Sequence, residues 1–169
     1  MRKHIQAVIV LGLLFAGCLT ARPGSLSFQT PGAWKSLDQP SGGTDSYAFT
    51  NKAGNLLMFS PWPPPSKPED IPALVRQLSD RFVKDAKNAQ ALTNVSFPTY
   101  EYRISQFSGP HCNGSYVTFE ATVRSTGTKI WQAIFMMSVD GLVWNGQFTG
   151  PPAAWEQALA MLKSTKKDD

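Results

Sequence analysis

Few residues of this 169-residue chain are equipped for chemistry, and their spacing keeps them apart. His111 and Cys112 are neighbours, and an imidazole beside a thiol is the pairing that a cysteine nucleophile uses. In enzymes such partners are normally distant in sequence, because adjacent residues in a turn point apart. This pair sits in Ser108–Gly114, which reads as a turn through Gly109, Pro110 and Gly114. No basic cluster lies close in sequence to lower the thiol pKa. We read His111 as a solvated loop residue and Cys112 as a small, partly buried one. Metal chemistry has as little to draw on, with no Cys-x-x-Cys and no histidine but His111 beyond the first eighteen residues. Asp38, Asp45, Glu69, Asp70, Glu101 and Glu120 have no calcium-loop spacing. Folding can still bring two acids together, and glycosidase chemistry requires only two. A Gly-x-Ser-x-Gly elbow and a Gly-rich phosphate loop are both missing. The expectation is a protein that is not an enzyme, with no catalytic set, no metal and no cofactor.

The other cysteine, Cys18, is the informative one. Arg2, Lys3 and His4 form a basic start, Ile5–Phe15 is almost wholly apolar, and Ala16-Gly17-Cys18 closes the run. That order is the layout of a secretory signal. The apolar run of about 11 residues falls short of the roughly 20 that a membrane-spanning helix needs. The small residues before Cys18 resemble the lipobox of bacterial lipoproteins, in which a peptidase cuts before a cysteine that carries lipid. The match departs at Phe15, where Leu is usual. The alternative is ordinary cleavage after Ala21, with Leu19 standing where a small residue is preferred. With Cys18 acylated, several chains anchor firmly, each buried methylene adding about 0.8 kcal/mol. Leu19 stands where an aspartate would favour inner-membrane retention in enteric-type lipoproteins, so the resemblance implies the outer membrane, facing the periplasm. Residues 1–17 are then signal, 18–25 a lipidated tether and 26–169 one domain.

Composition agrees with a single exported module. Removing Arg2 and Lys3 lowers the net charge from +4 to about +2. The remaining basic residues are scattered except Lys163, Lys166 and Lys167, and Asp168 and Asp169 follow them. Nucleic acid, which requires a basic stripe, is not an expected partner. A lipid on Cys18 leaves Cys112 without a disulfide mate; an uncut signal would leave a bridge between the two open.

The elements that must position any site follow from periodicity. Ser25–Gln29 alternates, Thr30–Trp34 turns, and 35–45 reads as a loop. Ser46–Thr50 and Asn55–Ser60 form a hairpin across Asn51–Gly54. Pro61–Pro68 holds five prolines in eight residues, which forbids helix and ladder and leaves polyproline II. Ile71, Leu74, Val75, Leu78 and Phe82 give a helix over Glu69–Gln90, with Asp70 as its cap and Asp80–Lys84 and Arg81–Asp85 as ion pairs on its wet face. Four strands follow: Tyr100–Phe107, Ser115–Arg124, Lys129–Val139 and Leu142–Thr149. Asp140-Gly141 marks the last hairpin. Gly150-Pro151-Pro152 opens a final helix with Trp155, Ala158, Leu159 and Leu162 on its apolar stripe. A strand apolar on both faces must be covered on both. The expected fold class is α+β, a single antiparallel sheet flanked by a helix on each face, in the order β-β-β-α-β-β-β-β-α.

Phe28-Gln29-Thr30-Pro31-Gly32-Ala33-Trp34, Tyr47-Ala48-Phe49, and Trp144–Phe148 followed by Trp155–Lys166 resemble the PsbP-like and DcrB-like superfamily of small α/β sandwiches. Those stretches are similar to its strand and Pro-x-x-Trp turn, its paired strand, and its closing strand and helix. The resemblance implies an accessory, assembly or interaction protein of the bacterial envelope and brings no shared catalytic set. The Pro61–Pro68 segment departs from the pattern. Trp62, Pro63, Pro64 and Pro65 are the candidate protein-binding surface, because a rigid exposed tryptophan loses little entropy on contact. The competing reading is a stiff crossover with Trp62 folded over the core edge. The expected function is a lipid-anchored envelope module that binds a protein. The alternatives are a periplasmic immunity protein that blocks a secreted toxin, a small envelope hydrolase, and a carrier of lipid or another small ligand.

Overall fold

The computed structural model describes residues 26–37, 46–63 and 66–168. The signal, Cys18, the tether, residues 38–45 with Asp38 and Asp45, and Pro64 and Pro65 lie outside the described residues. The strands are β1 (Leu26–Ser27), β2 (Trp34–Ser36), β3 (Tyr47–Asn51), β4 (Leu56–Pro61), β5 (Val95–Ser96), β6 (Ser105–Ser108), β7 (Cys112–Val123), β8 (Thr128–Val139), β9 (Leu142–Gly150) and β10 (Lys166–Lys167). The helices are α1 (Ile71–Ala89), entered through a 3-10 turn at Pro68–Asp70, and α2 (Pro152–Lys163).

Eight strands build one antiparallel sheet in the order β2-β3-β4-β9-β8-β7, with β5 and β6 both paired to the outer side of β7. Alternation explains the two covered faces. On β8, Ala133, Phe135, Met137 and Val139 face α2, while Ile134 and Met136 face α1. The α2 side is aromatic: Trp155, fully buried, packs against Phe148 at 5.3 Å and Tyr116 at 5.0 Å between ring centres. On the other side Ile71 and Val75 of α1 bury against Val117, Phe119 and Val143, with Phe82 tilted onto Phe119. The two-faced sheet with a helix on each side is the α+β architecture that the pattern implies.

Four short elements depart from the expected order. The first strand is only Leu26–Ser27 and leaves the main sheet to pair with β10, a ladder between residues 139 and 141 apart that no local pattern announces. Trp34–Ser36 is an edge strand rather than the end of a turn, because burying Trp34 on the α2 side draws its backbone alongside β3. Val95–Ser96 adds a two-residue strand. The strand expected at Tyr100–Phe107 begins only at Ser105. Tyr102 and Ile104 pack instead beneath α1, where the Tyr102 hydroxyl donates a short hydrogen bond to Asp80 Oδ1. The expected Asp80–Lys84 pair is not among the ion pairs of the described residues, while Arg81 and Asp85 do meet, at 3.8 Å. The turn expected over Ser108–Gly114 closes to Gly109–His111, so β7 starts at Cys112. The Asp140-Gly141 hairpin forms with both residues at positive φ (49° and 83°), the conformation that a two-residue turn of this kind demands.

Candidate binding cleft beside the proline segment

Strand β4 delivers the proline segment. Pro61 lies opposite Trp144 of β9, and the Trp62 N–H donates to the Val143 carbonyl at 2.8 Å, carrying the ladder one residue further. The Trp62 ring is half-buried against the α1-side core. Pro63 is exposed. The chain returns at Ser66, and the Asp70 carboxylate accepts the Lys67 N–H at 3.0 Å, bracing the 3-10 turn. Asp70 occupies the cap position of α1 without bonding into the helix: its oxygen is spent on Lys67.

Where this turn meets the β6–β7 hairpin, the surface opens into a cleft of about 390 Å³. Pro68, Glu69 and Pro72 form one wall; Gln106, Asn113 and Ser115 lie opposite. Asn113 and Ser115 share the phase of Val117 and Phe119, so they project toward α1 beyond the end of its apolar contact. The same face continues inward through two further buried polar residues, Ser138 and Asn145, the latter donating from Nδ2 to the Ser60 carbonyl at 3.3 Å. Ser115 is 2 % exposed as a residue and lines the cleft. Sequence reading missed this floor because Asn113 was assigned to a turn. The signal was there, since Asn113 and Ser115 are polar residues in the inward phase of a long strand.

The hairpin is held in place by a glycine contact. The Phe107 ring lies over Gly114, where a Cβ would come within 2.5 Å of two ring atoms and of the Met136 carbonyl oxygen. At the hairpin's tip Gly109 packs against the Lys163 carbonyl at the end of α2.

The reactive residues do not converge here. His111 is exposed, while Cys112 points inward and donates from Sγ to the Leu162 carbonyl at 3.2 Å. Burial, above all, pushes the Cys112 thiol above its usual range, and the Asp140 carboxylate adds to the shift. Burial also raises Tyr102, together with its bond to Asp80. Glu120 pairs with Lys129 at 2.9 Å across exposed strand ends. Among the described residues no three His, Cys, Asp or Glu side chains gather as a metal site would require, and no helix is long and apolar enough to cross a membrane.

No family model and no curated protein matches the chain. Solved structures do. The solution structure of cyanobacterial PsbP (CyanoP) from Synechocystis sp. PCC 6803 superposes with a TM-score of 0.50 at 13 % identity, over 91 % of this chain and 99 % of that one. LpqN of Mycobacterium tuberculosis, involved in cell envelope biogenesis, is similar at a TM-score of 0.43 and 12 % identity, over 88 % of this chain and 87 % of that one. The chain has the PsbP-like fold.

Proposed function

We propose that this protein is a non-enzymatic cell-envelope module, held to the outer membrane by lipid on Cys18, that binds another protein in the periplasm. The observation that carries the reading is the end of the sheet where the proline segment leaves β4: the segment starts at a partly exposed Trp62-Pro63 and ends at Pro68, which lines an open cleft. The supporting chemistry is the separation of the chain's reactive groups, with the thiol turned into the core and the imidazole into solvent. A cleft lined by amide, hydroxyl and proline suits a polypeptide ligand, which presents the same groups. The anchor is supported by the residues around Cys18.

Affinity capture tests the binding claim. The soluble domain from about residue 22 serves as bait against envelope and secreted fractions, and one stoichiometric partner is expected. A secreted toxin as that partner would identify an immunity protein; no partner at all would reject the reading. Trp62→Ala should weaken capture while the melting temperature is followed separately, because the ring also touches the core. Cys18→Ser should abolish incorporation of radiolabelled lipid, and persistent label would place the anchor elsewhere.

A further inference from the structure

We propose that the outer edge of β6 accepts an extended, uncharged peptide strand from the partner, whose alternate side chains enter the cleft beside α1. The inference rests on the protein-binding reading above and names the surface that does the binding.

The argument begins with hydrogen-bond parity. Gly109 N–H donates to the Cys112 carbonyl at 2.8 Å, so residues 109 and 112 form a bonded antiparallel pair. The register Phe107↔Gly114 and Ser105↔Tyr116 continues without a break. Bonded and non-bonded pairs alternate along an antiparallel ladder, so Ser105 and Phe107 spend their backbone groups on β7. The N–H and C=O of Gln106 and Ser108 then point away from the sheet. β6 pairs with no strand but β7, and no bond to these four groups exists among the described residues.

Open edges of this kind are usually blunted by lysine, proline or a bulge. Here the outward residues are Gln106 and Ser108, both exposed and uncharged. The opposite edge, β2, is three residues long and carries exposed Lys35. The β6 edge is also rigid before it binds anything, because the Phe107 ring seated on Gly114 fixes it to β7. The cleft beside this edge supplies neutral polar groups. Asn113 and Ser115 line it on the face that Gln106 and Ser108 share. A peptide side chain entering the cleft can bond to that amide and hydroxyl in place of water. No cation lines the cleft, and Glu69 at its rim is engaged with Lys67 at 3.9 Å. The site therefore has nothing to offer an anionic side chain, and its recognition is by backbone and neutral polar groups.

The test uses the full chain in detergent as bait for a phage-displayed library of random dodecapeptides. Enriched peptides should be rich in strand formers and poor in Asp and Glu. Gln106→Pro removes an outward N–H while leaving the bonds to β7 intact, so it should cut peptide affinity about tenfold or more. Gln106→Ala keeps the backbone and should stay within about threefold of wild type. Hydrogen exchange read at single amides checks the geometry and the fold together. In the free protein Gln106 and Ser108 should exchange fast and Phe107 slowly, in the proline variant Phe107 should stay slow, and peptide should protect Gln106 and Ser108. Equal affinity of the proline and wild-type proteins, or protected Gln106 and Ser108 in the free monomer, overturns the proposal. So does sedimentation showing a dimer that Gln106→Pro dissociates, which would make the occupant a second copy of this chain. Capture of a partner that survives Gln106→Pro but fails with Trp62→Ala would keep the protein-binding reading and reject the edge.

Discussion

Gly114→Ala puts the register of β6 on β7 to a quantitative test. In a strand interior alanine is ordinarily better than glycine by about 0.5–1 kcal/mol, since it loses less backbone entropy on folding. Without a tertiary constraint the substitution should stabilise. The structure reverses the sign. The added Cβ would lie 2.5 Å from the Phe107 ring and from the Met136 carbonyl oxygen, well inside contact distance. The ring can give way, but the oxygen belongs to the ladder between β7 and β8. Overpacking of this kind costs about 1–3 kcal/mol, so the net loss is about 0.5–2 kcal/mol. Urea unfolding should show a lower midpoint at unchanged slope. Combining Gly114→Ala with Phe107→Ala removes the ring half of the clash, so the double variant should lose less than the two single losses together, by about 0.5–1 kcal/mol. A Gly114→Ala protein as stable as wild type would mean that Phe107 does not lie over Gly114. The parity argument for the β6 edge would fall with it.

Other substitutions probe the same end of the sheet. The Cys112 proton is held more tightly folded than unfolded, because burial raises the thiol. The unfolded chain releases it near pH 8.5, so stability present below that pH is lost as pH rises toward the folded pKa. Wild type should lose stability above about pH 8.5 faster than Cys112→Ala, and parallel curves would contradict the burial. Tyr47→Phe removes the oxygen that accepts the Leu26 N–H at 2.8 Å. It should cost about 1 kcal/mol and speed exchange of the Leu26 amide; an unchanged amide would show that β1 is held by β10 alone. Arg81→Ala breaks an ion pair whose partners are 63 % and 35 % exposed, so it should shift stability by less than about 0.5 kcal/mol in the same urea assay.

The fold was legible where local periodicity and burial coincide. Trp131, Ala133, Phe135, Met137 and Val139 against Ile130, Ile134 and Met136 wrote a two-faced strand, and the structure divides them between the cores as written, with Ile130 joining Val95 and Ala121. What escaped depends on residues far apart in sequence. β1 exists because Leu26 meets Lys167, and neither residue signals the other. Tyr100, Tyr102 and Ile104 alternate as a strand would, yet Asp80 on α1 offers the Tyr102 hydroxyl a partner, and that stretch stays irregular. The cleft was illegible for a related reason. Its walls are Pro68–Pro72 and the β6–β7 hairpin, brought together only by α1 crossing the sheet. Trp62 shows how far composition reaches: proline spacing predicts rigidity and exclusion from a ladder, but Trp62 still bonds Val143 and lays its ring on the core.

The placement of these features ties the proposed anchor to the proposed binding edge. Cys112 lies opposite Val139, and Val139 opposite Leu142, so the β6–β7 and β8–β9 turns share one end of the sheet. Pro61 opposite Trp144 brings the proline segment to that end. The bonds from Leu26 N–H to Tyr47 and from Gln29 N–H to Ser164 bring the start of the domain there too. A tether of residues 18–25, with Cys18 in the bilayer, spans at most about 28 Å when fully extended. On the proposed reading the cleft and the β6 edge therefore work close to the lipid surface. A partner held in the same membrane would meet them at high effective concentration, and for such a partner lengthening the tether with a flexible linker should weaken capture. Equal capture at twice the tether length would separate the anchor from the binding function.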